Sequence, residues 1–116
     1  MLAVAEKNVE REKVPDNLIV RMNVKQISSS LMDLKENSGY FFEYNCDNIL
    51  ELKDVCDDLR CQTISYIGDK AMFGPLLKCG VSGIDRIVPI GKTMDFDFMW
   101  DGHNLFEKLT RIIVTN

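Results

Sequence analysis

The sequence predicts an α/β fold in which crossover helices return the chain to a mainly parallel sheet. Short runs at residues 18–24, 40–44, 62–67 and 86–90 are rich in β-branched and aromatic side chains, which suits strands. Segments with apolar residues at helical spacing lie between them, and such alternation argues for parallel strands joined by helices packed on the sheet. No internal repeat, low-complexity tract or Pro/Gly/Ser linker divides the 116 residues. A chain of this length removes about 65% of its unfolded surface from water, yet is short for an enzyme with its own cofactor domain.

Taken in order, residues 2–13 are charged and helix-prone until Pro15 and Asn17 interrupt. They predict an N-terminal helix or poorly ordered arm over 1–17, ahead of a single α/β domain over 18–116. Ile19, Val20, Met22 and Val24 make the first strand, and Ser28 then caps a short helix bearing Leu31 and Leu34 that ends near Asn37 and Gly39. The aromatic run at 40–44 fits a strand covered on both faces. Asn48 with Glu51 three residues on has the spacing of a capping box, and Ile49, Leu52, Val55, Cys56 and Leu59 hold one stripe of a helix over 48–59. Gly68 closes the strand at 62–67, and Gly74 and Pro75 disturb a helix over 69–79. Gly80 and Gly83 free the chain for the strand at 86–90, which Pro89 and Gly91 close. Leu105, Phe106, Leu109, Ile112 and Ile113 then predict a closing helix over 102–112, with Leu109, like Leu52, facing the core.

Composition narrows the function classes. A net charge of −4 argues against a nucleic-acid footprint and a polybasic membrane surface, both of which need clustered positive charge. There is no secretory leader pattern and no apolar run approaching the ~18 residues of a membrane span, so a cytoplasmic protein is expected. Cys46, Cys56, Cys61 and Cys79 contain no C-x-x-C pair, and the single histidine, His103, lies in another segment. Zinc-ligand spacing is therefore absent, and reduced structural thiols are expected.

Catalytic candidates are sparse. Cys56 lies on its helix's apolar stripe, Cys46 precedes Asp47, and Cys79 sits near a helix end where the dipole favours the thiol. Cys61, next to Arg60, is the best-placed reactive thiol. His103 with Asp101 suggests an acid–base pair, but Asp101 fits better as the N-cap of the last helix, with His103 exposed in its first turn. Asp95, Asp97 and Asp101 lack the Gly and distal Glu of a calcium loop. Gly80 to Gly83 forms a helix-to-strand loop and no G-x-G-x-x-G phosphate turn. Phe96, Phe98 and Trp100 either line an apolar acyl or partner surface or anchor the loop on the core.

The stretch IDRIVPIGKTMDFDFMWDG, followed by NLFEKLTR, resembles the C-terminal end of the bacterial long-chain acyl-CoA reductases, the fatty acid reductase family of bacterial luminescence. Asp85-Arg86, Pro89-Ile90-Gly91, Asp95-Phe96, Trp100-Asp101-Gly102 and Leu109-Thr110-Arg111 carry the resemblance. A weaker match through SGYFFEYN and QTISYIG extends it to roughly residues 20–113. It implies part of an aldehyde-dehydrogenase-like catalytic domain that reduces acyl-CoA to fatty aldehyde with NADPH through a cysteine thioester. The nucleophile segment and the nicotinamide-binding domain should precede the matched segment, so no cofactor is expected in this chain. The expected function is that of a C-terminal fragment or subunit of such an oxidoreductase, inactive alone, that self-associates or pairs with a complementary N-terminal reductase segment. The alternative is a non-enzymatic interaction module that retains the α/β fold.

Overall fold

The computed structural model describes residues 10–12, 18–34 and 39–115. It is a small mixed α/β structure with short strands and few helices. Strands β1 (Glu10–Glu12), β2 (Val20–Asn23) and β3 (Tyr40–Glu43) form one sheet; β4 (Gln62–Tyr66) and β5 (Ile84–Pro89) form a second, and β6 (Met99–Trp100) and β7 (His103–Asn104) a hairpin. The helices are α1 (Lys53–Asp57), α2 (Gly74–Lys78) and α3 (Leu105–Leu109), with 3-10 turns at Ser29–Asp33, Ile49–Leu52 and Lys70–Phe73.

All the strands expected from 18–24, 40–44, 62–67 and 86–90 form, and each belongs to a parallel pair. The pairs are β2–β3 and β4–β5. They do not merge into the single mainly parallel sheet that the alternation suggests, and β1–β2 and β6–β7 are antiparallel. The crossovers are correspondingly slight, being 3-10 turns and five-residue helices. Helices this short cannot roof a continuous sheet, so each parallel pair gathers its own core. Of the helix or arm expected over 1–17, only Glu10–Glu12 is described, and it is a strand on β2.

Met22, Val24 and Leu31 make the first core, against which Phe42 and Tyr44 pack. Cys56, Phe73 and Leu76 make the second, packed by Leu52, Ile64, Tyr66 and Ile87. In β2, Met22 points inward while Arg21 points outward and grips Glu43 at 2.9 Å through Nη2, as the two-residue period of a strand dictates. Polar contacts join the halves: the Ser29 N–H donates to Asp54 at 2.7 Å, Arg60 reaches Asp33 at 2.7 Å, and the Tyr44 hydroxyl donates to Glu51.

Local signals explain the helix starts. Asn48 accepts the Leu50 N–H at 3.0 Å while its own N–H donates to Glu51 at 2.9 Å, so the expected capping box forms and starts the turn leading into α1. Asp69 accepts the Ala71 N–H at 2.8 Å, and Pro75 enters α2 in its first turn, where the missing N–H costs nothing. The interruption expected in the helix over 69–79 is thus a junction between a 3-10 turn and an α-helix. The closing helix is shorter than expected. It ends at Leu109, which is 80% exposed and does not face the core.

Candidate apolar site

Phe96, Phe98 and Trp100 occupy every second position of the stretch that leads into β6. Their rings meet in series, with Phe96 5.4 Å from Trp100 and 6.5 Å from Phe98 between centroids. Phe98 continues the series onto Phe106 of α3 at 4.2 Å. The structure therefore brings the three candidates together. Phe96 and Phe98 line a groove of about 290 Å³ with Leu105, Phe106, Leu109 and Thr110, while Trp100 packs its ring on Phe96 outside that lining. That volume lies just below the ~300–1,000 Å³ typical of small-ligand sites. The groove's wall is apolar and its residues remain in water, with Phe96 68% exposed.

Arg86 holds this loop in place. Its guanidinium donates to the carbonyls of Thr93 at 3.1 Å and Asp95 at 2.9 Å and lies 4.3 Å from the centroid of the Trp100 ring. Arginine suits the position because its planar fork donates in two directions while its face stacks on an indole. Lys92 closes the turn beneath by pairing with Asp95 at 2.9 Å. Local spacing placed Arg86 within a strand and Phe106 on a helical stripe. The long-range partner of each could not be read from local spacing.

The Asp101-Gly102 pair is a correction with a clear cause. Both residues have positive φ, 47° and 73°, and they join Trp100 to its partner His103 across a two-residue hairpin. This is the backbone a primed turn demands, and Asp-Gly is a strong sequence signal for it. Asp101 therefore does not cap the last helix; Asn104 does, accepting the Phe106 N–H at 3.1 Å. His103 stands exposed in β7 and not in a first helical turn. A Cβ on Gly102 would come 2.8 Å from the Asp85 carboxylate, so Asp85 and Arg86 each meet one end of the hairpin.

Cys46, Cys56 and Cys61 lack the environment of a nucleophile. Burial, then the neighbouring Cys61 thiol, pushes Cys56 up to about 11, and burial also raises Cys61. Arg60, which recommended Cys61, spends its guanidinium on Asp58 at 2.7 Å and Asp33 at 2.7 Å. Desolvation, then the Glu51 charge, raises Cys46, whose Sγ lies 2.7 Å from the Asn48 carbonyl. The glycine loop before β5 is equally committed. Its Ser82 N–H donates to Asp57 at 3.2 Å and its Gly83 N–H to the Cys56 carbonyl at 2.9 Å, so neither amide faces a phosphate. Among the described residues no group of three or more His, Cys, Asp or Glu side chains is placed to hold a metal ion, and no helix is long and apolar enough to cross a membrane.

Burial of Cys56 has a pH consequence. Below its ordinary value of 9.0 the thiol is neutral in both folded and unfolded chains; between 9.0 and about 11 only the unfolded chain ionises. Stability should therefore fall as pH rises through that window. Urea midpoints measured from pH 8 to 11 should drop less steeply for Cys56→Ala than for the parent chain. Equal slopes would mean that Cys56 ionises in place.

Comparison with models of known families, with curated proteins and with solved structures found no match for this chain.

Proposed function

We propose that the chain is the C-terminal segment of a long-chain acyl-CoA reductase, working in the cytoplasm and inactive alone. Convergence of Phe96 and Phe98, backed by Trp100 and continued by Phe106, on one exposed apolar groove is the observation that carries this reading. The groove suits the tail of an acyl substrate or the apolar face of the protein segment that delivers it. Reduction also needs a thiolate to take the acyl group, an oxyanion-stabilising site and a positioned nicotinamide. Three of the thiols here are raised rather than lowered. A complementary N-terminal reductase segment would supply the nucleophile and bind NADPH, and the aldehyde-dehydrogenase-like arrangement would be completed only in that assembly.

A non-enzymatic interaction module is the second reading, favoured by the same exposed aromatic face, and one experiment separates the two. The isolated chain with long-chain acyl-CoA and NADPH should show no covalent adduct by intact-mass spectrometry and no NADPH oxidation. Adding the complementary segment should give fatty aldehyde, and Phe98→Asp should slow that reaction roughly tenfold or more, as loss of an apolar subsite does. An acyl adduct on Cys61 or Cys46 of the isolated chain would overturn the proposal. Binding to the complementary segment without aldehyde formation would leave the interaction module.

A further inference from the structure

We infer that Cys56 and Cys61 are a redox-modifiable pair, closed to a disulfide by a small-molecule disulfide such as oxidised glutathione and reopened by thiols. This site does not depend on the reductase reading. Cys56 lies in α1, buried in the second core, and Cys61 packs against that core from the loop that leads into β4. Gly83 gathers the two ends of this loop. Its N–H donates to the Cys56 carbonyl at 2.9 Å, and its carbonyl accepts from the N–H of Gln62, the residue after Cys61, at 2.8 Å. One residue's length of backbone therefore separates the two anchor points. Between them the chain turns at 58–61, where the Cys61 N–H donates to the Asp58 carbonyl at 2.8 Å, and both side chains reach the same core.

The two thiols also act on each other. Burial raises both, and their mutual contact adds to the rise at Cys56 while offsetting part of it at Cys61. Raised thiols exchange slowly, which suits a stoichiometric latch and not a catalytic nucleophile. Cys61 is the more exposed of the two, so it goes first: it loses its proton and attacks one sulfur of the small disulfide, whose S–S bond breaks and releases one thiolate. Cys56 then loses its proton and attacks the Cys61 sulfur of the mixed disulfide, forming the protein S–S bond and releasing the second thiolate. Both cysteines are oxidised, the small disulfide is reduced, and its two thiolates take up the two protons.

Closure acts on a strained junction. Gln62 has a φ of 54°, and across it the Thr63 N–H donates to the Cys61 carbonyl at 2.7 Å, the hydrogen bond of a γ-turn. The register of the β4–β5 ribbon shifts at the same point. A bond from Cys56 to Cys61 ties α1 to the residue that enters this turn, and the closed loop contains Arg60, which reaches Asp33 of the other half at 2.7 Å. A cross-link there also removes freedom from the unfolded chain, so the oxidised form is the more stable one.

Incubation of the folded full chain with oxidised glutathione should give, by intact-mass spectrometry, a species lighter by two hydrogens. Cleavage after Arg60 leaves the two cysteines on separate peptides, which only the new bond should hold together. Cys46→Ser combined with Cys79→Ser removes only exposed thiols and should give the same product, with a urea midpoint above that of its reduced form; dithiothreitol should abolish the difference. Cys61→Ser should yield no closed species and no midpoint difference. A chain that stays reduced, or stops at a glutathione adduct on Cys61, overturns the inference, as does a bond to Cys46 or Cys79 or a Cys56–Cys61 bond that forms only in urea. An oxidised form no more stable than the reduced one would overturn the latch.

Discussion

Replacing Leu76 by alanine should lower the stability of the β4–β5 half by about 3–5 kcal/mol, the cost of emptying a fully enclosed leucine site. Leu76 is 0% exposed, the one side chain among the described residues with no measurable contact with water. It lies in α2, a five-residue helix that cannot persist on its own hydrogen bonds. Packing against Cys56 and Phe73 is what holds that helix under the ribbon. The cavity would thus loosen the element that carries the chain from β4 to β5. Urea titration followed by the fluorescence of Trp100, the sole tryptophan, reads this half because Arg86 of β5 stacks on the indole. A shift below about 1 kcal/mol would show that the core closes over the missing atoms.

Gly83→Ala should cost a comparable amount for the opposite reason, excess of matter. A Cβ there would stand 2.1 Å from the Asp58 carbonyl oxygen and 2.7 Å from that of Cys56. Both are backbone atoms at the end of α1, so no side-chain rotation relieves the clash. Moving the backbone would disturb two bonds, Gly83 N–H to Cys56 at 2.9 Å and Gln62 N–H to Gly83 at 2.8 Å. Overpacking of this kind costs about 1–3 kcal/mol and sometimes more. The upper end is expected here because the register irregularity between Gln62 and Thr63 adjoins the same bond. Retention of the parent midpoint in Gly83→Ala would contradict the close approach. The double variant with Leu76→Ala should fall short of the sum, since both changes act on one core.

These residues also mark the limits of sequence reading. Strands at 40–44 and 62–67 were legible because their aromatic and β-branched content is local, and the Asn48–Glu51 box was legible because its partners are three residues apart. The Asp101-Gly102 hairpin was equally local, and it was misread because a helical stripe downstream invited a cap at Asp101 instead. Leu109 shows how that stripe misled. Its spacing was helical, but among the described residues no element buries it, and spacing alone carries no information about what stands opposite. The candidate site was legible in part. Phe96, Phe98 and Trp100 were legible as an aromatic set that either lines a surface or anchors its loop, whereas their closure onto Phe106 and Arg86 depends on contacts no local pattern encodes. The division into two sheets was hidden for the same reason, since strand runs say where pairing can occur and not which strands pair.

That division bears on cooperativity. The Met22–Val24–Leu31 and Cys56–Phe73–Leu76 cores do not share a buried residue, and among the described residues the halves are bridged by exposed polar contacts, Ser29 to Asp54, Tyr44 to Glu51 and Arg60 to Asp33, beside the approach of the Ser29–Asp33 turn to α1. Links of this kind contribute only about 0–1 kcal/mol each. With two separate cores, the expected unfolding behaviour is that of two adjoining foldons. The first half is then expected to open independently of the second, which carries the hairpin and the aromatic groove.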